Sequence, residues 1–154
     1  MTDIIVLFCT TTLGYLIGQA YESRFLRREM LYANLLEFSS KFKANVCTSR
    51  VVLAEFANQF CLDSSKDFCA YCNKMLFGRG DNINLIKGKE YKYLHQFFVG
   101  LNAENCQSLL EHLSFYSNYF NDMLIQVKNE NKTKGKIGQK LGVLCGVIVG
   151  LVLI

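Results

Sequence analysis

The sequence lacks proline and tryptophan and has few charged residues. Charged residues make up 19% of the 154 positions, and apolar residues make up 51%. Because there is no proline, no helix is interrupted by a ring that removes a backbone donor. No stretch alternates apolar and polar residues over a useful length, which excludes an ordinary half-buried β-sheet. The composition therefore favours an all-α protein with a strongly apolar portion.

Motifs of the common enzyme classes are also absent. There is no His-Glu-x-x-His zinc motif, no Gly-x-Ser-x-Gly nucleophile elbow and no glycine-rich phosphate loop behind a strand. The two histidines are His95 and His112, and Glu111 beside His112 cannot face it on a helix. The sequence thus predicts no catalytic residue, no cofactor and no metal ligand, and we do not expect an enzyme.

Seven cysteines are present, but they do not suggest disulfides. The number is odd, and Cys9 and Cys145 lie in apolar runs, so reduced thiols acting as small apolar side chains are expected. Cys69 and Cys72 have CxxC spacing, but no second pair or nearby histidine completes a metal site. A structural role is favoured. The alternative is a membrane-anchored sensor or a redox or metal protein that uses Cys69 and Cys72.

Each end of the chain carries an uncharged apolar run. Counted from Ile137, with Lys140 reaching to the headgroups, the C-terminal run gives a helix of roughly 27 Å, close to the ~30 Å hydrocarbon core of a bilayer. The N-terminal run, Ile4 to Tyr21, has eighteen residues without a charge, enough for a transmembrane helix. A cleaved signal peptide is the competing interpretation. Against it, Asp3 stands in place of a positive n-region, and no small-x-small cleavage site follows.

Both runs carry glycine at the spacing that lets helices approach closely. Glycine recurs every fourth residue, which places these residues on one stripe of a helix. In lipid such a stripe favours close packing of a second helix, whereas in water each glycine would cost up to about 1 kcal/mol relative to alanine. A buried helix of a soluble core is the alternative, but it does not explain the terminal position or the lysines beside it. The predicted helix-packing residues are Gly14, Gly18, Gly138, Gly142, Gly146 and Gly150.

Positive charge is concentrated beside the two apolar runs, on the side of the middle region. The net charge is +4, with arginines after the first run and lysines before the second. The positive-inside rule then places the middle of the chain in the cytoplasm and both ends across the membrane. Contact with anionic membrane lipid is favoured over a nucleic-acid partner because the charges flank apolar runs. The residues predicted to face the membrane surface are Arg24, Arg27, Arg28, Lys132, Lys134, Lys136 and Lys140.

Between the runs, apolar residues recur at helical spacing in every segment. The first helix is expected to continue to about Ala44 and to end at a polar break at 45–49. A capping-box pattern from Ser64 to Asp67 begins a later helix, and Gly78 ends it. Asn102 is expected to cap the last helix of this middle region.

The predicted organisation is an all-α cytoplasmic helical bundle flanked by N- and C-terminal transmembrane helices. Residues 1–22 form the N-terminal transmembrane helix, residues 23–136 the cytoplasmic domain and residues 137–154 the C-terminal transmembrane helix. The middle region is long enough for one small domain. Gly135, in the polar run before the second apolar segment, is the expected joint.

Two stretches of the C-terminal part resemble motifs of a known family. After Gly100, residues 101–107 read Leu-Asn-Ala-Glu-Asn-Cys-Gln, similar to a Leu-Gly-x-Ser-Asp…Gln turn and helix start. Lys136, then Leu-Gly-Val-Leu-Cys-Gly at 141–146 and an apolar tail, is similar to a Lys…Leu-Gly-Val-Leu-x-Gly ending. The chain resembles the stage III sporulation protein AB family of endospore-forming bacteria in these motifs. The N-terminal span, the arginines that follow it and the Leu-Leu-Glu at 35–37 are also similar to that family. It departs from the family at 50–55, which lacks the usual Thr-Pro-Leu-x-Glu.

The resemblance implies a function that the composition does not. Family members are membrane components of the channel joining mother cell and forespore, and their soluble domain resembles the cytoplasmic domain of the inner-membrane platform protein of type II secretion. The resemblance implies a position in the mother-cell membrane around the forespore. It also implies contacts with other sporulation-channel membrane proteins and with a cytoplasmic secretion-type ATPase, and it leaves a homo-oligomer open.

Overall fold

The described part of the chain is helical almost throughout. The computed structural model describes residues 2–48, 52–79, 85–102 and 105–153, and these contain no β-strand. The predicted all-α fold, with a long apolar helix at each end, is confirmed. The helices are α1 (Thr2–Thr48), α2 (Leu53–Leu62), α3 (Lys66–Phe77), α4 (Lys89–Gly100), α5 (Cys106–Glu130) and α6 (Lys136–Leu153), with a π-helical segment at Asn131–Gly135 between the last two.

The chain divides into two compact units. Arg28–Ile125 forms the middle unit, and Met1–Arg27 together with Gln126–Ile154 forms the terminal unit. Helices α1 and α5 each contribute residues to both units. Where the membrane-embedded segments end, predicted after residue 22 and before residue 137, stays a prediction.

The core of the middle unit is built around Phe38 of α1. Its side chain is fully buried, and its ring centroid lies 5.3 Å from that of Phe60 in α2 and 5.6 Å from that of Phe68 in α3. The ring of Phe97 in α4 is 6.3 Å away. Because aromatic rings bury large areas and favour tilted or edge-to-face contacts, one residue joins four helices.

A second aromatic cluster joins α4 to α5. The Phe97 ring lies 4.9 Å from that of Phe120, nearly perpendicular to it, and 5.4 Å from that of Tyr116. The His112 ring stacks parallel to that of Phe97, and its Nε2 lies 3.0 Å from Phe97 O. A Cβ added to Gly100 would overlap the His112 imidazole. Gly100 is therefore required for this close approach and not only as the end of a helix.

The helix ends agree in part with the sequence patterns. Gly78, at φ 65°, ends α3. Its N–H donates to Lys74 O, as in an αL motif, and the N–H of Arg79 donates to Asn73 O. The start of α3 differs by one residue, because Ser65 and not Ser64 accepts from Phe68 N. Ser64 Oγ donates instead to Phe60 O at 2.7 Å, so the predicted capping box was wrong.

Two other expected helix boundaries were wrong. Residues 45–48 are helical, and Thr48 Oγ1 donates to Ala44 O at 3.0 Å, so the hydroxyl is satisfied without breaking the helix. At the start of α5 the cap is Asn105, whose Oδ1 accepts from Gln107 N at 3.0 Å. Asn102, the predicted cap, instead follows α4 and donates to Val99 O.

Candidate functional site

The N-terminal part of α1 and helix α6 meet along their glycines within the terminal unit. A Cβ added to Gly142 would lie 2.5 Å from Gly14 O and 3.2 Å from Gly18 Cα. A Cβ added to Gly146 would lie 2.6 Å from Thr10 O and 3.0 Å from Thr11 Cα. The neighbouring atoms are backbone, so they cannot rotate away. The two backbones therefore come as close as glycine permits.

The contact continues in both directions along α6, where side-chain atoms are among the nearest neighbours. Beside Gly150, an added Cβ would lie 2.5 Å from Thr10 Oγ1 and 3.2 Å from Leu7 Cα. Beside Gly138, it would lie 2.5 Å from Cδ1 of the Tyr21 ring. The structure thus brings all six predicted packing glycines to one helix–helix contact.

Threonine hydroxyls in the apolar part of α1 are satisfied within the helix. Thr11 Oγ1 donates to Leu7 O at 2.8 Å and Thr12 Oγ1 to Phe8 O at 2.7 Å. Thr10 Oγ1 lies 3.0 Å from Val6 O. Internally satisfied hydroxyls are compatible with a surrounding that offers no water.

The apolar side chains of the terminal unit are directed outward. Ile4 is 73% exposed and Phe8 70%. Helix α1 and the continuous helical stretch from α5 to α6 are each long and apolar enough to cross a membrane. Their most apolar windows have a mean hydropathy of 1.5 and are only 6% and 18% buried. A core helix of a soluble protein has the opposite distribution, with its apolar side chains inside.

The predicted membrane-face basic residues have two different surroundings. Arg24, Arg27, Lys132, Lys134, Lys136 and Lys140 are exposed. Arg28 is partly buried, and its Nη2 donates to Glu90 Oε1 at 2.9 Å and to Oε2 at 3.1 Å. This guanidinium is therefore engaged by a carboxylate of α4.

Tyr32 completes the polar cluster around Glu90. Its hydroxyl donates to Glu90 Oε2 at 2.9 Å. Burial, and then the nearby Glu90 carboxylate, raise the pKa of the Tyr32 phenol, so the hydroxyl keeps its proton and stays a donor even in alkali. The sequence did not reveal this cluster, because Glu90 lies 62 residues from Arg28 and no local pattern links them.

In the middle unit, the CxxC pair lies beside a third cysteine, Cys61. Cys69 Sγ donates to Cys61 O at 3.0 Å. Burial raises the pKa of the Cys61 thiol and raises that of Cys72 to about 11. Reactive and metal-binding cysteines instead have a lowered pKa, because the thiolate is the active form. Among the described residues, no group of three or more His, Cys, Asp or Glu side chains is placed to hold a metal ion.

Comparison with known proteins gives one family match. A family model described as stage III sporulation protein AB matches residues 25–154. No curated protein and no solved structure matches. The match begins after the N-terminal apolar run and includes α2 to α6 and the π-helical segment, so it covers most of the chain.

Proposed function

Because the chain belongs to the stage III sporulation protein AB family, we propose that it is a non-enzymatic membrane component of the channel between mother cell and forespore. In this proposal it lies in the mother-cell membrane around the forespore, with the middle unit in the cytoplasm. We further propose that its middle unit is similar to the cytoplasmic domain of the inner-membrane platform protein of type II secretion and that it docks a secretion-type ATPase. The family is not a known enzyme family.

The observation that carries this proposal is the glycine-faced helix pair with its outward apolar surface. Two helices whose backbones touch at Gly142 and Gly146 and whose apolar side chains face outward are suited to a bilayer. There, close packing rather than hydrophobic burial holds helices together. The six glycines act as the packing face of the anchor.

The exposed basic residues support the proposed orientation. Lys132, Lys134 and Lys136 immediately precede the apolar part of α6, and Arg24 follows that of α1. Cationic side chains beside a span are retained on the cytoplasmic side and attract anionic lipid. The chain ends then lie across the membrane, and the middle unit is tethered at both of its ends.

The middle unit is the proposed docking module for channel subunits and the ATPase. Its helices are joined through Phe38 and through the Arg28–Glu90 ion pair. Such a unit can transmit or resist displacement at the membrane without performing chemistry.

Gene deletion and complementation in an endospore-forming host test the proposal. We expect deletion to abolish spore formation, the full chain to restore it, and a chain truncated before residue 137 to fail. The Cys69→Ser/Cys72→Ser double variant should restore spores as the full chain does, since no thiol chemistry is proposed. Normal spore yield without the gene, or failure of the thiol variant at a normal protein level, would contradict the proposal.

A further inference from the structure

A groove of about 430 Å³ lies along the helix pair of the terminal unit. Ile17 and Tyr21 of α1 line one side, and Ile137 and Leu141 of α6 line the other. The one charged group in its lining is Lys134, in the π-helical segment. The groove is therefore apolar along its length and cationic at one end.

The charged end lies where both apolar runs stop. Tyr21 is the last residue of the N-terminal uncharged run, and Lys134 precedes Ile137, the first residue counted in the C-terminal run. Tyrosine and lysine are the residues that concentrate at the level of the lipid headgroups. If the helices span a bilayer as proposed above, the groove runs from headgroup depth into the hydrocarbon region.

We propose that this groove is a binding site for an anionic phospholipid. One acyl chain lies along Ile17, Ile137 and Leu141, and the phosphate pairs with the Lys134 ammonium. The inference rests on the proposed membrane insertion and deepens it by naming a site and a ligand class. Charge complementarity favours this occupant over a third transmembrane helix, because an apolar helix offers no negative charge to the Lys134 ammonium.

A second groove provides an internal contrast. It has a volume of about 400 Å³ and is lined by Leu13, Cys145 and Val149, among others, with no charged residue. Nothing in that lining distinguishes one apolar occupant from another. Lys134 is what gives the first groove a preference for an anionic occupant.

The headgroup, not the acyl chain, determines the expected selectivity. Lipid tails are as apolar as the side chains of the groove, so moving a tail from the bilayer into the groove gains little. One lysine near the surface contributes about 1 kcal/mol with anionic lipid, which corresponds to roughly fivefold enrichment of anionic over zwitterionic lipid.

Tryptophan quenching by brominated lipid measures this selectivity directly. The natural chain has no tryptophan, so Ile137→Trp places a single reporter at the groove, where the native side chain is 54% exposed. Leu144→Trp is the matched reporter outside both grooves. The full-length protein is reconstituted in vesicles containing brominated phosphatidylglycerol or brominated phosphatidylcholine.

We expect about fivefold preferential quenching by phosphatidylglycerol at position 137 and nearly equal quenching by the two lipids at position 144. Lys134→Gln, added to the Ile137→Trp protein, should abolish the preference. Lys136→Gln removes the same charge from an exposed lysine outside the groove and should retain it. No preference at position 137, or equal losses in the two lysine variants, would overturn the proposal. Weak quenching by both lipids at position 137 that changes with the protein-to-lipid ratio would show a second protein chain in the groove and would also overturn it.

The two reporters separate failure of this inference from failure of membrane insertion. If both tryptophans are quenched but neither prefers phosphatidylglycerol, the protein is inserted and only the lipid site is wrong. If neither tryptophan is quenched by any brominated lipid, the proposed insertion and the lipid site are both wrong.

Discussion

At the scale of single residues, the atoms that face each glycine determine how much it can change. At Gly142 and Gly146 an added methyl group would meet backbone atoms of α1, whereas at Gly138 it would meet the Tyr21 ring. A ring can shift by rotation about its side-chain bonds, but a helix backbone moves only as a whole. Gly142 and Gly146 are therefore the positions where substitution should separate the helices.

We expect Gly146→Leu to weaken the helix pair by about 1–3 kcal/mol, the usual cost of overpacking. The measurement is the distance distribution between spin labels at positions 5 and 152, in a cysteine-free background in detergent. It should broaden and shift to longer distances. Val149→Leu, at an exposed position of the same helix, is the control. An unchanged distribution in Gly146→Leu would count against the packing role.

The Arg28–Glu90 pair should contribute more to stability than a surface ion pair. Its side chains are 17% and 28% exposed, whereas those of Lys41 and Glu37, also an ion pair, are 59% and 52% exposed. A double-mutant cycle by urea unfolding should give a coupling of roughly 1–3 kcal/mol for Arg28–Glu90. The Lys41–Glu37 cycle should give about 0.3–0.5 kcal/mol. Equal couplings would contradict the role assigned to burial.

Buried Cys72 should make the middle unit less stable in alkali. Its folded pKa of about 11 lies above its ordinary value of 9.0, so the unfolded chain loses the thiol proton first. The protonated Cys72 thiol contributes up to about 2–3 kcal/mol to the free energy of unfolding. This contribution is fully present below pH 9 and is lost as the pH rises from 9 to 11. Urea unfolding across this range should show a steeper fall for the natural chain than for Cys72→Ala. Parallel curves would be inconsistent with a raised pKa.

Residue roles that depend on distant partners could not be predicted from the sequence. Four-residue spacing revealed the glycine stripes, because helical periodicity is local. The role of Gly100 depends on His112, which packs against it from another helix. Glu90 was likewise not singled out, since its partners Arg28 and Tyr32 are far away in the chain.

At the scale of elements, the π-helical segment at Asn131–Gly135 sets the rotation of α6 relative to the end of α5. A π-turn holds one more residue than an α-turn and is often found at functional positions. Gly135 was predicted as a joint, and the structure places it at the end of this segment. The π-turn itself has no sequence signature, so it could not be predicted.

Because the π-turn accommodates one extra residue, deleting Thr133 should convert the segment to a regular α-helix and leave the rotation of α6 nearly unchanged. The glycine stripe should then still face α1, with the distance between labels at positions 5 and 152 unchanged. Deleting Lys132 and Thr133 together removes one residue more than the π-turn holds, so α6 should rotate by about 100° and that distance should change at least as much as in Gly146→Leu. Thr133→Ala, which keeps the chain length and removes only the hydroxyl donated to Asn129 O, is the matched control. A changed distance in the single deletion, or an unaltered distance in the double deletion, would show that the segment does not set the rotation.

Helix existence was predictable at this scale, and helix ends were less so. Apolar periodicity indicated every α-helix of the described residues, but at the starts of α3 and α5 two polar residues offered rival boundaries. Asn105 rather than Asn102 caps α5, and Ser65 rather than Ser64 caps α3. Which of two nearby candidates caps a helix depends on what the other one contacts. Ser64, for example, is occupied by Phe60 O.

At the scale of the whole molecule, the chain combines a helical middle unit with an apolar helix pair. The composition and the terminal position of the two apolar runs predicted the two apolar helices. The motifs at 101–107 and 136–146 predicted membership of the stage III sporulation protein AB family. The internal pairing of the two runs was open from the sequence alone, because glycine stripes serve equally for contacts within and between chains. The structure shows that contact within one chain.

The central claim is that the terminal unit is embedded in a bilayer. The most direct test is alkaline carbonate extraction of membranes from cells that express the full chain, followed by immunoblotting of pellet and supernatant. We expect the chain to stay in the pellet, because its outward apolar side chains are in contact with lipid. Release of the intact chain into the supernatant would contradict the claim.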